Sequence, residues 1–186
     1  FDFRLEDRAG LGHAKLMEAR DALQTLLARQ PDDPAALLMF AEVEFQSGRH
    51  AEALVHAQRH LQTSPDSLRG LLLSADLLDE LGRGREMIAP LQAALKLDPE
   101  LLEAHANLAY AYRLAGDAQL AVQEARWCLE RRPELTATRA VLAAALRDLG
   151  EHDAALTEVA GVLAAEPNNL TARLVEADVL LFRRQA

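Results

Sequence analysis

His56 and His60 stand four residues apart, the spacing at which two imidazoles on one helix face can share a metal ion. A third ligand would be needed. His50 is near in sequence but falls before that helix or in its first turn, and solvated or hydrogen-bonded histidines fit the same spacing. Cys128 is the only cysteine, so no intramolecular disulfide can form and the redox compartment stays open. Its place beside Trp127 in a packing column reads as a small buried thiol rather than a nucleophile. The serines fall in caps, turns or packing columns, which leaves no Ser/His/Asp order. Gly82 and Gly84 follow a helical segment and make no phosphate-cradling loop. The acidic pair Asp79-Glu80 suits a solvated or groove-lining face better than an acid/base couple. These residues predict no catalytic centre, no cofactor and no bound metal.

Composition narrows the partners. The 29 acidic residues against 20 basic ones give a formal charge of −9, which repels a phosphate backbone and argues against nucleic acid. No apolar run approaches the roughly 18 residues that span a bilayer. No signal-peptide pattern is present, and the compartment is left open. Lys15 and Lys96 are the only lysines; this bias to Arg, with abundant Ala, suggests a GC-rich bacterial source. The opening Phe1-Asp2-Phe3, without an initiator Met, reads as a piece of a longer chain.

The elements that must position any function repeat with one period. Proline falls at Pro31, Pro65, Pro99, Pro133 and Pro167, and glycine at Gly48, Gly82, Gly116 and Gly150, both at intervals of 34 residues. Ala41, Ala75, Ala109, Ala143 and Ala177 keep that spacing, as do Leu61, Leu95, Leu129 and Leu163. Gly is expected to end the first helix of each unit in a left-handed conformation. Pro is expected to open the next unit, where a missing N–H is harmless in the first helical turn. Asp98-Pro99-Glu100 is expected to add a cap and acidic charge at a helix N-terminus. The alanines let helix axes approach, the leucines fill the space between units, and apolar residues such as Leu108, Tyr112, Ala121, Val122, Ala125 and Leu129 recur at helical spacing.

These columns resemble the tetratricopeptide repeat family. Its signature is matched best over Leu102–Leu135, by Leu108, Ala109, Tyr112, Ala121, Ala125 and Pro133. Pro34–Ser67, Leu68–Leu101 and Thr136–Asn169 are three further units, and four full units clear the usual minimum of three. Residues 13–33, with a helix at about His13–Arg29, look like the second half of a preceding unit; residues 170–186, with a helix at about Leu170–Gln185, look like the first half of a following one. Residues 1–12 form an arm or tail, in which Gly10 and Gly12 disfavour a regular helix. The resemblance implies an all-α fold, a right-handed α-solenoid of helical hairpins. Its concave face, lined by each unit's first helix, receives peptides.

Two stretches depart from the pattern. In Leu68–Leu101, Met87 replaces an Ala, Ser74 replaces a core Leu, Gly84 weakens the second helix's first turn, and Pro90 lies inside that helix. An interior Pro costs about 3 kcal/mol. This unit is either a hinge or a tolerated kink in a helix that starts late. His105, Arg139 and Arg173 occupy a column where the family prefers a bulky aromatic; Arg can cover that surface with its stem while the head stays in water. Separately, the last helix carries Leu174, Val175, Val179, Leu180, Leu181 and Phe182, apolar on more than one face, as in a solenoid cut mid-array or covered at its end.

The implied groove positions are Leu38, Met39, Glu42 and Gln46, then Arg69, Leu72, Leu73, Asp76 and Glu80. They continue with Asn107, Tyr110, Arg113 and Leu114, then Val141, Ala144, Arg147 and Asp148, and finally Leu174, Val175 and Asp178. Leu38 with Glu42 and Leu72 with Asp76 stand where some members carry the Lys and Asn that grip a C-terminal carboxylate, so that clamp is absent. Apolar side chains such as Leu38, Met39, Leu72, Leu73, Val141, Leu174 and Val175 would form an exposed patch of the kind that marks binding. Glu42, Asp76, Asp79 and Glu80 predict that a mixed apolar and basic protein segment, extended or helical, complements the first half. The leading expectation is a non-catalytic scaffold or adaptor for a bacterial complex, without membrane insertion. The alternatives are a substrate-recruiting region of a multidomain enzyme and a self-associating scaffold.

Overall fold

The computed structural model describes residues 11–185. Among them the chain is all-α and divides into two compact units at Arg83/Gly84. The first unit holds α1 (Leu11–Arg29), α2 (Pro34–Gln46), α3 (His50–Thr63) and α4 (Leu68–Glu80). Each packs on the next, around a core in which Leu23, Ala36, Phe40 and Val43 meet Leu16, Ala19 and Leu27. The second unit opens with a short 3-10 segment, Gly84–Met87, and continues through α5 (Ile88–Leu97), α6 (Leu102–Ala115) and α7 (Ala118–Arg131). It ends with α8 (Thr136–Asp148), α9 (His152–Ala165) and α10 (Leu170–Gln185). Here α6, α7, α8, α9 and α10 pack in chain order, while α8 also touches both α6 and α10, so first helices lie side by side.

The glycine column ends these helices as expected. Gly48, Gly82, Gly116 and Gly150 have φ of 72, 68, 88 and 78°, which only glycine adopts without strain. Ala41, Ala75, Ala109 and Ala143 are wholly buried, whereas Ala177 on α10 is exposed.

The proline column does a different job from the one expected. Pro65, Pro99, Pro133 and Pro167 follow the C-cap residue of a second helix instead of opening a first helix. The residues before them, Ser64, Asp98, Arg132 and Glu166, have φ between −138 and −130° and ψ between 71 and 94°. That is where the proline ring pushes its predecessor, so the column is a stop signal. The Asp98 carboxylate accepts from Glu100 N at 3.1 Å and closes the turn, while α6 has Leu101 at its cap with no side-chain bond. Side-chain caps come from Asp33 to Ala36 N, Ser67 to Gly70 N and Asn169 to Ala172 N.

One expectation about helix starts is corrected, and in Leu68–Leu101 the late-starting second helix is the alternative found. α1 begins at Leu11 and passes through Gly12; Phe1–Gly10 lie outside the described residues. α5 begins at Ile88, so Pro90 sits in its first turn, where the missing N–H interrupts no helical bond. The preceding Gly84 is where the side chain of Leu114 lies down. A Cβ there would meet Leu114 Cδ1 at 2.3 Å. Met87, in place of the usual Ala, fills core space and is 2% exposed.

A paired substitution adjusts the packing of each second helix on the first helix that follows. His60, 5% exposed, lies against Gly70, where a Cβ would stand 2.6 Å from its Cδ2. In the same register the following repeats carry Ala94 with Ala104, Cys128 with Thr138, and Val162 with Ala172, all buried. The largest side chain of the series faces the one glycine.

Candidate partner-binding surface

The candidate chemistry resolves into structural roles. His60 donates from Nδ1 to the Pro34 carbonyl at 2.8 Å, and His56 Nδ1 meets Glu44 Oε2 at 2.7 Å. No group of three or more metal-ligating side chains converges among the described residues. Cys128 is fully buried, with Sγ 3.8 Å from the Leu102 carbonyl oxygen. Burial, then the Glu124 charge, pushes its thiol up to about 11, which suppresses the nucleophilic thiolate. No helix among the described residues is long and apolar enough to cross a membrane.

In the first unit α2 and α4 carry the groove positions. Met39 is 45% exposed, and Leu38, Leu72 and Asp76 are half-buried. Leu73 is 8% exposed and belongs to the core, where α4 turns it inward beside Leu77. Glu42 is bound by Arg69, whose Nε and Nη2 reach its two oxygens at 2.5 and 2.8 Å. This ion pair ties α2 to α4 across the face. Burial raises the Glu42 pKa even against that guanidinium. Asp79 is also raised, by burial and then by the neighbouring Glu80, which is exposed and 3.7 Å from His50 Nδ1. Between α1 and α2 a small apolar hollow of about 210 Å³ opens beside Met39, Glu42 and Gln46, walled by Ala19, Ala22, Leu23 and Val43. Its α1 wall was not in the sequence expectation, because a second helix was not expected at the face.

In the second unit the face belongs to α6, α8 and α10. A cavity of about 330 Å³ lies between α6 and α8, lined by Asn107, Tyr110, Arg113 and Val141 among the expected residues. Ala106, Ala137, Thr138, Ala140, Asn169 and Thr171 complete it. Ala106 and Ala140 continue the column of Leu38, Leu72 and Leu174, and Ala137 and Thr171 that of Arg69, so these four were legible from the repeat register, while Thr138 and Asn169 lie outside those columns. Arg113 lies over the Tyr110 ring, 5.9 Å from its centroid, and its Nε is buried without a hydrogen-bond partner. Arg147 is spoken for: it bonds Asp148 at 2.8 Å and Asp178 of α10 at 2.7 Å. Burial works to lower its pKa, but these two carboxylates outweigh that and raise it. Leu174 is 55% exposed, whereas Val175, at 1%, and Ala144, at 1%, are core residues. Leu114 is 44% exposed and Asp178 stands at the surface.

The column of His105, Arg139 and Arg173 does more than shield apolar surface. Each reaches back to a proline carbonyl six residues earlier: His105 Nε2 to Pro99 at 3.0 Å, Arg139 to Pro133 at 2.8 Å and Arg173 to Pro167 at 2.9 Å. His105 and Arg139 also pair with Glu124 and Glu158 of the following helix. The Arg139 head is therefore bonded, and His105 stacks on Trp127 with centroids 3.6 Å apart.

A family model described as a tetratricopeptide repeat matches residues 8–67. No curated protein sequence matches the chain. Among solved structures, the chain is similar to MamA protein at 16% identity and a TM-score of 0.75, covering 85% of this chain and 86% of that one. It is similar to a tetratricopeptide repeat protein from Parabacteroides merdae ATCC 43184 at 19% identity and a TM-score of 0.77, over 92% and 68% of the two chains. YrrB, described as a TPR protein with an unusual peptide-binding site, aligns at 16% identity and a TM-score of 0.71, over 89% and 85%.

Proposed function

We propose, from the premise that this chain is built of tetratricopeptide repeats, that it is a non-catalytic scaffold holding a peptide or helix of a partner protein on its first-helix faces. The observation that carries this reading is the cavity of about 330 Å³ between α6 and α8, where Arg113 lies with a buried, unpartnered Nε beside Asn107 and Tyr110. Such a mix of apolar wall and a few placed polar groups is what a bound segment needs. The role would be assembly or regulation of a larger bacterial complex.

The first unit's face favours a segment of mixed apolar and basic character. Its small hollow beside Met39 is apolar, and the raised Asp79 next to Glu80 gains from an approaching cation. Glu42 contributes less to that attraction than its charge suggests, because Arg69 already holds it.

The test is selection of peptides from a displayed library against the chain, followed by titration with Tyr110→Ala/Arg113→Ala and with Arg126→Ala on α7. Selected peptides should lose at least tenfold affinity in the first variant and none in the second. Binding indifferent to both would remove the reading. A second reading, self-association, is favoured by α10, where Leu170, Leu174, Leu180, Leu181 and Phe182 are each more than half exposed. Light scattering across a hundredfold concentration range separates it from the first, since only self-association raises the mass.

A further inference from the structure

The first unit carries a second hollow, of about 510 Å³, on a different side of α2 from Met39 and Glu42. Its lining includes Phe40 and Glu44, and positions 42 and 44 point about 200° apart around a helix. Three arginines line it, Arg20 from α1, Arg49 before α3 and Arg59 within α3, against one carboxylate, Glu44. We propose that this hollow binds a small molecule through a compact oxyanion, phosphate or carboxylate, held by Arg49 and Arg59.

The repeat register shows that the fold does not require this cluster. Glu44 is 5% exposed at a position where the other full repeats bury Leu78, Tyr112 and Leu146. The Arg59 column reads Ala93, Trp127 and Gly161 elsewhere, and the Arg49 column keeps an arginine at Arg83 before turning acidic at Asp117 and Glu151. A buried charge replacing a core leucine is the informative kind of exception.

The charges inside the hollow are incompletely matched. Glu44 Oε2 is engaged by His56 Nδ1 at 2.7 Å. Arg49 Nη2 is 3.9 Å from Glu44 Oε1, beyond hydrogen-bonding distance, and its Nε and Nη2 are buried with no hydrogen-bond partner. That edge, Nε with Nη2, is the one by which a guanidinium grips two oxygens of a carboxylate or phosphate. Both atoms are closed to solvent as the side chain stands, so a rotation that turns this edge into the hollow lets an anion supply the bonds that the fold leaves unmade. Arg20 holds Asp21, and Arg59 Nη2 holds Asp32 and donates to the Pro31 carbonyl at 2.8 Å; the two carboxylates are 66% and 73% exposed. Exposed pairs of this kind exchange readily for a better-placed anion. Leu27 and Phe40 give the ligand's body an apolar wall. The volume lies within the range of small-molecule sites.

The experiment follows arginine Nε–Hε resonances of the chain during titration with inorganic phosphate and, separately, succinate, at constant ionic strength in chloride. Saturable shifts at Arg49 and Arg59 are expected, at least tenfold weaker in Arg49→Gln and unchanged in Arg126→Gln. Saturation by phosphate alone assigns a phosphate ligand, by succinate alone a carboxylate, and by both a site for either. If Arg49→Gln loses its helical circular dichroism, Arg59→Gln, at a more exposed position, takes its place with the same expectation. No saturation with either anion, or equal weakening in the variant and the Arg126→Gln control, overturns the proposal.

Discussion

Gly70→Ala should destabilise the chain even though it places a better helix former inside a helix. Ala exceeds Gly in helix propensity by up to about 1 kcal/mol. Against this, the new Cβ would lie 2.6 Å from His60 Cδ2 and 3.1 Å from Leu61 Cδ2. Ordinary carbon contacts are about 3.5–4.0 Å, so something must move by about 1 Å. The imidazole has little freedom to do so, being 5% exposed and anchored by its bond to the Pro34 carbonyl at 2.8 Å. Overpacking of this kind costs about 1–3 kcal/mol, so after the propensity gain the net loss is up to about 2 kcal/mol. In a chain already carrying His60→Ala only Leu61 Cδ2, at 3.1 Å, must give by a few tenths of an ångström, and the same Gly70→Ala change should be neutral or stabilise by up to about 1 kcal/mol. That background reproduces the Ala94 and Ala104 arrangement of the next repeat, in which both residues are wholly buried. Urea unfolding followed by circular dichroism measures each step, and hydrogen exchange in α3 and α4 localises it, since repeat arrays open piecewise. A gain in stability from Gly70→Ala alone, or an equal effect in both backgrounds, would refute the packing argument.

Four further outcomes are expected. At pH 8 the native Cys128 thiol, pushed up to about 11 and buried, should react with a disulfide reagent slower than a free cysteine by on the order of a hundredfold, and urea should abolish the difference. Because burial raises the Glu42 pKa, the folded chain keeps that proton to higher pH than the unfolded one; stability contributed by this group is greatest below the ordinary carboxylate value and falls as pH rises through the folded pKa. Arg69→Ala should push the Glu42 pKa higher still, as read by carbon-13 titration of the carboxyl group. Pro90→Ala should be neutral or destabilising by up to about 1 kcal/mol in urea unfolding, because the ring stands in a first turn and also restricts the unfolded chain; stabilisation near 3 kcal/mol would mean an interior kink after all.

The repeat was legible because each of its columns answers a backbone demand that sequence states directly. A glycine with φ near 70–90° at the ends of α2, α4, α6 and α8 is one such demand. The proline column was visible for the same reason, but its role was misassigned by a few residues, since spacing cannot say whether a proline starts one helix or stops another. The candidate face was harder to read. Leu73 and Val175 share a helical stripe with exposed neighbours, and only the rotation of α4 and α10 against their partners turns them inward. Charge was least legible of all. Glu42 and Arg147 look like free groove charges in sequence, yet partners 27 and 31 residues away neutralise them. Glu44 carried a signal in plain sight, an acid in a column of Leu78, Tyr112 and Leu146, which a column-by-column comparison of polarity would have found.

The link from Arg139 back to the Pro133 carbonyl crosses the border between two 34-residue units, as does the fit of His60 against Gly70. Genetic duplication or deletion of a whole unit cut at that border would therefore set His60 against Ala104, or leave Gly70 without its histidine. A cut at the left-handed glycines, between the two helices of a hairpin, keeps both arrangements together. A second helix joined to the first helix that follows it therefore keeps these two fits, out of phase with the unit that the sequence period suggests, while it parts Glu44 from His56, His105 from Glu124 and Arg139 from Glu158.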